Sequence, residues 1–375
     1  MHILIAPNAF KNSLDATRVA EAIQQGLKQS GLACTTECFP IADGGDGTGS
    51  LIVERCGGER IFCEVHDPLG RLISSSFGLI GSGKTAVIEM ADASGLRLLK
   101  KDELDPMRAS SIGTGELIKA ALDKGVNKVI IAMGGSATVD GGCGILNALG
   151  ITFLNKSGRR LQALPENLIE ISKLDASRID KRILETEIVV LCDVENKLLG
   201  RDGAAAVFGP QKGTAPAEVK LLENFLENFV AVTRTQTGRD MDHIRYGGAA
   251  GGASAGLYAW LNAKLVNGIE YFLSLTNFDK AVSRADVVIT GEGSIDRQTL
   301  NGKGPYGVAV KAKEKGIRVI GLAGKVEKDE GLNRYFDQLI SINKGQVDIA
   351  EAMRNTKENL IRTAAEIGKT LSLKV

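Results

Sequence analysis

Short apolar runs alternate with longer segments whose apolar residues recur at helical spacing. The chain opens with an apolar strand at 2–7 and an amphipathic helix at 15–29, for which Ser13 is placed as the cap. A second strand at 34–41 and a helix at about 47–55 follow. Because parallel strands are joined by helical crossovers, this β-α-β-α order predicts a parallel sheet.

The pattern changes in the middle of the chain. Short β-rich runs at 60–65, 72–79 and 85–90 are separated by turn residues, which predicts antiparallel hairpins rather than crossovers. From residue 285 the opening order of strand and helix returns, and it ends in a long helix over 348–371. The two ends of the chain are therefore predicted to share one α/β domain.

The length of the chain fits this organisation. At 375 residues it exceeds a single typical domain, and 43% of its residues are hydrophobic, enough for two cores. We predict a discontinuous parallel-sheet α/β domain made of residues 1–67 and 283–375. A second α/β domain that contains the antiparallel hairpins, residues 68–282, is inserted into it.

Charge and cysteine content exclude several classes of partner. With a net charge of +1 and no run of like charges, the chain is not expected to bind nucleic acid or an anionic membrane. It has no apolar run of membrane-spanning length and no basic segment before an apolar core at its start, so we expect a cytoplasmic protein. The six cysteines lack C-x-x-C spacing, and only three histidines accompany them, which disfavours a zinc site and disulfides.

Glycine is over-represented, with 45 residues, and the glycines cluster in loops that follow predicted strands. Acidic or hydroxyl residues stand beside them, and in open α/β sheets ligands bind outside the carboxyl ends of the strands. One such residue is more often a helix cap or turn former, but caps alone do not require glycine on both sides. The residues are Asp43 and Asp46 after the strand at 34–41, Gly134, Gly135, Ser136, Thr138 and Asp140 after that at 129–133, Asp193 and Asn196 after that at 188–192, and Glu292 and Asp296 after that at 287–290.

These side chains suit phosphoryl transfer. Several carboxylates suit Mg²⁺, which prefers oxygen ligands. Glycine loops near Lys11, Lys212 and Lys303 suit a polyphosphate, and a carboxylate can accept the proton of an attacking hydroxyl group. Together these features predict transfer of a phosphoryl group from ATP to an alcohol.

The segment GLIGSGKT at 78–85 matches the P-loop pattern but is predicted to be a hairpin turn. A P-loop needs a helix directly after its Lys-Thr pair, because the phosphate binds at the helix N-terminus. Here the β-branched run TAVIEM follows Lys84. Histidine and cysteine are too scarce for a Ser-His-Asp or Cys-His site. The first strand is not followed by GxGxxG, which excludes a Rossmann dehydrogenase.

Seven segments resemble, in the same order, the signature blocks of the bacterial glycerate kinase family. The resemblance covers residues 3 to about 325 and implies an ATP- and Mg²⁺-dependent kinase that acts on D-glycerate. It also implies that the discontinuous domain is Rossmann- or flavodoxin-like and that the active site lies in the cleft between the two domains. Members like this one are mostly assigned the product 2-phosphoglycerate, which we adopt. The segments are APNAFKNSL, ADGGDGT, GGSATVDGG, CDVEN, FGPQKG, TGEGSIDRQT and GK at 302–303.

The resemblance and the chemistry of the loops suggest a role for each residue. Asp193, at the end of a buried strand, is predicted to accept the hydroxyl proton, and Asp296 and Lys11 are further predicted catalytic residues. Glu292 and Asp296 are predicted metal ligands. The predicted substrate- and phosphate-binding residues are Asp43, Asp46, Gly134, Gly135, Ser136, Thr138, Asp140, Asn196, Lys212 and Lys303.

The chain departs from the family pattern at a few positions. Asn8 and Ala9 stand where the family usually has Asp-Ser, and Ser294 stands where it usually has Arg. These departures favour an alternative, a non-catalytic module that binds a nucleotide or an organic acid, whereas the retained carboxylates favour an enzyme. Among enzymes, the alternatives are a 3-phosphoglycerate product and another small hydroxy acid as substrate. A homo-oligomer is compatible with each of these alternatives.

Overall fold

A computed structural model describes residues 1–345 and 348–373. Residues 346, 347, 374 and 375, which the predicted first domain includes, lie outside the described residues. The strands are β1 (His2–Ile5), β2 (Thr35–Cys38), β3 (Glu59–His66), β4 (Leu72–Ile80), β5 (Thr85–Glu89), β6 (Lys128–Ala132), β7 (Thr152–Leu154), β8 (Arg160–Leu161), β9 (Lys173–Asp175), β10 (Glu187–Cys192), β11 (Lys264–Asn267), β12 (Val287–Ile295), β13 (Arg318–Val326) and β14 (Gln338–Ser341). The α-helices are α1 (Ala16–Gln29), α2 (Thr48–Arg55), α3 (Ala91–Ser94), α4 (Ile112–Asp123), α5 (Cys143–Ala148), α6 (Pro165–Leu168), α7 (Lys181–Leu184), α8 (Ala204–Phe208), α9 (Pro216–Thr237), α10 (Ala253–Leu261), α11 (Gly268–Leu275), α12 (Phe278–Val282), α13 (Gly304–Lys313), α14 (Ile349–Arg354) and α15 (Thr356–Ser372).

The first sheet has five strands, all parallel, in the order β14-β13-β12-β1-β2. Its strands come from both ends of the chain, since Ile3 of β1 lies opposite Val287 of β12 and Thr36 of β2. One core joins this sheet to Ile23 of α1 and Leu360 of α15. The predicted discontinuous parallel-sheet domain is confirmed.

The second sheet has six strands in the order β11-β10-β6-β5-β4-β3. The pairs β3–β4 and β4–β5 are antiparallel, whereas β5, β6, β10 and β11 run parallel. The predicted hairpins within an α/β domain are confirmed, and Ile80 pairs with Thr85 across the turn that matched the P-loop pattern. A small antiparallel sheet, β8-β7-β9, also forms, although the polar segment at 155–185 gave no strand signal.

The chain divides into two compact units at positions that differ from the predicted ones. The first unit is Met1–Asp43 with Ile269–Val375, and the second unit is Gly44–Gly268. Both boundaries lie earlier in the chain than residues 67 and 283. The chain therefore leaves the first unit and enters the second within the acidic loop that follows β2.

Local packing explains both shifts. α2 packs on β4, where a Cβ atom on Gly78 would lie 2.0 Å from Val53 Cγ2, and β3 pairs with β4 along its whole length. These elements therefore belong to the second unit. At the other boundary, α11 packs on α13, where a Cβ atom on Gly307 would lie 2.7 Å from Ile269 Cγ1.

Two helix predictions are corrected by the structure. Asp15, not Ser13, caps α1 by accepting from Arg18 N at 2.8 Å, and Ser13 Oγ instead donates to the Met353 carbonyl at 2.7 Å. The single helix predicted over 348–371 is two helices, α14 and α15, separated at Asn355. Within residues 1–345 and 348–373, no helix is both long and apolar enough to cross a membrane.

Candidate functional site

The loop after β6 packs backbone to backbone against the glycines that precede α2. The Gly134 N–H donates to the Gly44 carbonyl at 3.0 Å, and a Cβ atom on Gly134 would lie 2.4 Å from Gly45 Cα. Gly135 has a φ of +73°, a conformation that costs residues with side chains free energy. Close contact at one position and backbone conformation at the other explain why the sequence has two glycines here.

Lys212 lies under this glycine loop, at the end of a short 3₁₀-helix (Pro210–Lys212). Its Nζ donates to Ser136 Oγ at 2.9 Å and to the Thr138 carbonyl at 2.7 Å, and the residue is only 3% exposed. The Thr138 hydroxyl is fully buried and has no hydrogen-bond partner within the described part of the chain. A buried ammonium group is thus bonded to the loop that carries an unsatisfied buried hydroxyl group, and both can donate to an anion.

Two opposing effects act on the pKa of Lys212. Burial lowers the pKa of Lys212 to about 7, because a charged group is poorly solvated there. The negative charges of Asp140 and Asp193 act in the opposite direction and favour the ammonium form. A bound phosphate group would add to that favourable charge and strengthen the ammonium form further.

Asp140, which we predicted to bind substrate or phosphate, is fully buried and already surrounded by donors. Its Oδ2 accepts from Ser111 N, Ser111 Oγ and Gly144 N at 2.6–3.1 Å, and its Oδ1 accepts from Gly142 N at 3.0 Å. These bonds join the N-terminal ends of α4 and α5. Asp140 therefore fixes the shape of the glycine loop.

The loop after β10 carries Asp193 and Asn196, and the structure separates their roles. Asp193 is exposed, and its charge acts on both Lys212 and Cys192. The side-chain amide of Asn196 instead donates to the Asp202 carbonyl at 2.8 Å. The structure groups Asp193 with Lys212, whereas the Asn196 side chain holds the loop together.

Sequence reasoning missed an acidic group beside Asp46. Glu89 lies at the carboxyl end of β5, is 3% exposed and accepts from the Gly47 N–H. Burial is the main cause that raises the pKa of Glu89 to about 7, and the neighbouring Asp46 acts in the same direction. Arg97 pairs with Asp46 at 2.7 Å and also with Asp92. Glu89 has the same position after a strand as the predicted residues, so the same signal could have identified it.

In the first unit, Asp43 lies at the N-terminal end of α13. Asn8 Nδ2 donates to Asp43 Oδ2 at 2.8 Å, and the Gly304 N–H lies 3.4 Å from the same oxygen. Asn8 thus keeps a polar role although it departs from the family pattern. Lys303 is the N-cap residue of α13 and is half-buried.

The two predicted metal ligands have different surroundings. Glu292 accepts from Thr299 Oγ1 at 3.1 Å, and burial raises the pKa of Glu292 to about 7, with Lys303 acting in the opposite direction. Asp296 caps the 3₁₀-helix Arg297–Asn301 by accepting from Gln298 N at 2.8 Å. The fixed carboxylate of Asp296 and the half-buried carboxyl group of Glu292 lie close enough to interact electrostatically.

Lys11 is exposed in the loop after β1, and its backbone nitrogen lies 3.7 Å from where a Cβ atom on Gly293 would stand. This contact places Lys11 in the same unit as Glu292 and beside the same part of β12. Among the residues that the structure describes, no group of three or more His, Cys, Asp or Glu side chains is arranged to hold a metal ion. Mg²⁺ commonly binds one or two protein carboxylates together with phosphate and water oxygens, so the carboxylates present are sufficient for a metal that binds with a nucleotide.

A parallel-sheet unit and a mixed-sheet unit, with carboxylates and glycine loops near the ends of their strands and a buried lysine bonded to one of these loops, define an α/β protein of the kinase class. The chain belongs to the glycerate kinase family, whose sequence pattern matches residues 3–372.

Relatives from several bacteria agree with this assignment. The chain is 42% identical to a glycerate kinase of Halalkalibacterium halodurans over 97% of both proteins. It is 39% identical to the glycerate 2-kinase of Escherichia coli K12, over 100% of this chain and 98% of that protein. A crystal structure of a protein assigned as glycerate kinase 2 from Salmonella typhimurium LT2 superposes with a TM-score of 0.83 at 40% identity, covering 100% of this chain and 99% of the other.

Proposed function

We propose that this chain transfers the γ-phosphoryl group of ATP to a hydroxyl group of D-glycerate and releases ADP and 2-phosphoglycerate. Similarity along the whole chain to proteins named glycerate kinase carries the proposal. The choice of the 2-phospho product follows the relative named glycerate 2-kinase. The polar loops of both units suit this chemistry, because phosphoryl transfer depends mainly on positioning and on charge stabilisation.

The second unit has groups that fit the phosphates of a nucleotide. Lys212 Nζ has three donors and uses two of them on Ser136 and Thr138, so one is available for an anion. The unpartnered hydroxyl of Thr138 can donate to the same anion. In this proposal Lys212 neutralises the charge that develops on the transferred group, and Asp140 keeps the loop in shape.

Asp193 is the proposed general base. It is exposed at the end of β10 and close enough to Lys212 for their charges to interact. In this role Asp193 accepts the proton of the glycerate hydroxyl group as that oxygen attacks phosphorus and ADP leaves. Mg²⁺, when bound, supplies charge neutralisation at the phosphates.

The carboxylates of the first unit complete the proposal. Asp43 and Glu292 present oxygen atoms of the kind that Mg²⁺ binds, with Asp296 next to them in charge interaction. Lys303 offsets the negative charge of this group, and Lys11 is the proposed partner of the glycerate carboxylate. The prediction that the active site lies between the two domains stays a prediction.

The test is ADP formation by the purified chain with D-glycerate, L-glycerate and a panel of other small hydroxy acids, with Mg²⁺ and with EDTA. We expect turnover with D-glycerate that EDTA abolishes. Product is assigned by ³¹P NMR and by coupling to enolase, which consumes 2-phosphoglycerate without a mutase. A signal that needs phosphoglycerate mutase would show the 3-phospho product, and nucleotide binding without turnover on any acid would contradict an enzyme.

A further inference from the structure

β3 is the outer strand of the six-stranded sheet, and within the described residues no other strand pairs with its outer side. It is 8 residues long, and an edge of this length offers unpaired backbone groups to another strand. The Asp67 N–H donates to the Arg71 carbonyl, so these residues form a hydrogen-bonded pair at the end of the β3–β4 ladder. Because such pairs alternate along antiparallel strands, odd-numbered residues of β3 direct their backbone groups to β4 and even-numbered residues direct theirs outward.

Three outward-facing residues remain available along this edge. The His66 N–H is already bound by Glu116 Oε2 at 2.7 Å, which leaves Arg60, Phe62 and Glu64. Phe62 is 71% exposed, an unusual state for an aromatic side chain in the middle of a strand. The edge strand therefore has an uncovered aromatic ring at its centre.

Opposite charges flank this ring on the same face of the strand. Arg60 lies two residues before Phe62 and donates to the hydroxyl groups of Ser50 and Ser76. Glu64 lies two residues after Phe62. Neither Arg60 nor Glu64 takes part in an ion pair within the described part of the chain.

We propose that β3 pairs antiparallel with β3 of a second copy of this chain, about a two-fold axis at Phe62, and joins the two six-stranded sheets into one. In this register Phe62 lies opposite Phe62, and Arg60 lies opposite Glu64 in both directions. On the other face Ile61 lies opposite Cys63. The free backbone groups gain partners, the rings cover each other, and both charges are neutralised.

The charges select this register over its neighbours. A two-fold axis at Arg60 or at Glu64 would place two like charges directly opposite each other, which is destabilising. An axis at Ile61 or Cys63 would place Phe62 opposite a charged side chain and leave a charge unmatched. Edge strands commonly avoid pairing by carrying charged side chains, but the face of β3 that carries Phe62 has one acidic and one basic residue in a self-complementary order.

Charge reversal tests the pairing. Arg60→Glu or Glu64→Arg alone places like charges opposite each other at two symmetric points, and we expect the dimer Kd, measured by analytical ultracentrifugation, to rise about tenfold or more. Combining the two substitutions exchanges the charges and is expected to restore the wild-type Kd. Circular dichroism and thermal unfolding verify that each variant is folded.

A cysteine pair tests the register independently. Ile61→Cys would lie opposite the native Cys63 of the second copy in a non-hydrogen-bonded pair, at a Cα–Cα distance that permits a disulfide. Mild oxidation should convert this variant to a covalent dimer on a non-reducing gel, and Ile61→Cys with Cys63→Ser should stay uncrosslinked. A wild-type chain that is monomeric at tens of micromolar, or a dimer that responds to neither the charge reversals nor the cysteine pair, would overturn the proposal.

Discussion

Asp140 and Asp193 are the same residue type, and both follow a buried strand, yet their surroundings give them different roles. Asp140 is fully buried among donors from its own loop and from Ser111, whereas Asp193 is exposed with its charge acting on Lys212. The sequence pattern identified both positions but could not rank them, because the donors to Asp140 include Ser111, which is distant in the sequence. Burial, which depends on the folded chain, separates the two.

Asp193→Asn is expected to lower kcat for glycerate phosphorylation by about 10²–10⁴-fold, because the amide cannot accept the hydroxyl proton. The fold should be unchanged, since the side chain is exposed. Glu195→Gln is the matched control: Glu195 is a nearby exposed carboxylate that pairs with Arg245, and exposed ion pairs contribute little. Equal kcat for Asp193→Asn and wild type would remove Asp193 from the mechanism.

Lys212→Met is expected to abolish turnover and to change how stability depends on pH. The pKa of Lys212 is about 7 in the folded chain against an ordinary value of 10.5, so between these pH values the unfolded chain binds more protons. Stability from this residue therefore rises with pH, at up to about 1.4 kcal/mol per pH unit.

From pH 7 toward pH 10 the free energy of unfolding of wild type should rise relative to that of Lys212→Met. Below pH 7 the difference between the two should not depend on pH. Guanidinium unfolding at several pH values measures it. Lys84→Met, in the exposed turn between β4 and β5, controls for loss of a lysine as such. A pH-independent difference for Lys212→Met would mean that Lys212 is not shifted by burial.

At the scale of elements, the hydrophobic pattern predicted which helices and strands exist better than it predicted their partners. α2 has the amphipathic pattern expected of a helix on either sheet, and its contacts with the second sheet, such as Val53 against Gly78 of β4 and Gly49 against Glu89 of β5, assign it to the second unit. For this reason the compact units divide after Asp43, whereas the sequence pattern predicted a boundary at residue 67. The break at Asn355 had no proline or glycine to signal it.

Gly134→Ala is expected to destabilise the chain by about 1–3 kcal/mol and to remove turnover, because the added Cβ atom would collide with Gly45 and separate the two loops. Chemical denaturation and steady-state kinetics measure the two effects. Gly158→Ala is the control, because Gly158 has a φ of +78° but open space around it. This substitution should lower the free energy of unfolding by roughly 1 kcal/mol and leave turnover unchanged. Full activity in Gly134→Ala would show that this close contact is not needed.

At the scale of the whole molecule, each unit has its own core. The core of the second unit draws on residues from Val65 to Ala263, and the core of the first unit draws on both ends of the chain, from Ile3 to Leu371. The return of the strand and helix order after residue 285 was sufficient to predict this arrangement. The sequence could not place the boundary residues, because they depend on contacts between distant segments.

The continuous second unit, residues 44–268, is expected to fold when it is expressed alone, since its core needs no residue from outside this range. It should show one cooperative transition by circular dichroism and no kinase activity, because the carboxylates of the first unit are missing. A matched fragment cut at the predicted boundaries, residues 68–282, lacks β3 and α2 and should unfold at lower temperature. A non-cooperative transition in the 44–268 fragment would contradict the independence of its core.

The placement of β1 has a consequence for how the chain is made. β1 lies between β2 and β12, and β12 is translated only after the whole of the second unit. During synthesis the first two strands therefore leave the ribosome with one edge unpaired, while the second unit can already fold. The first unit closes only when Ile269–Val375 has been synthesised, so the first two strands are the part of the nascent chain that most needs protection from aggregation.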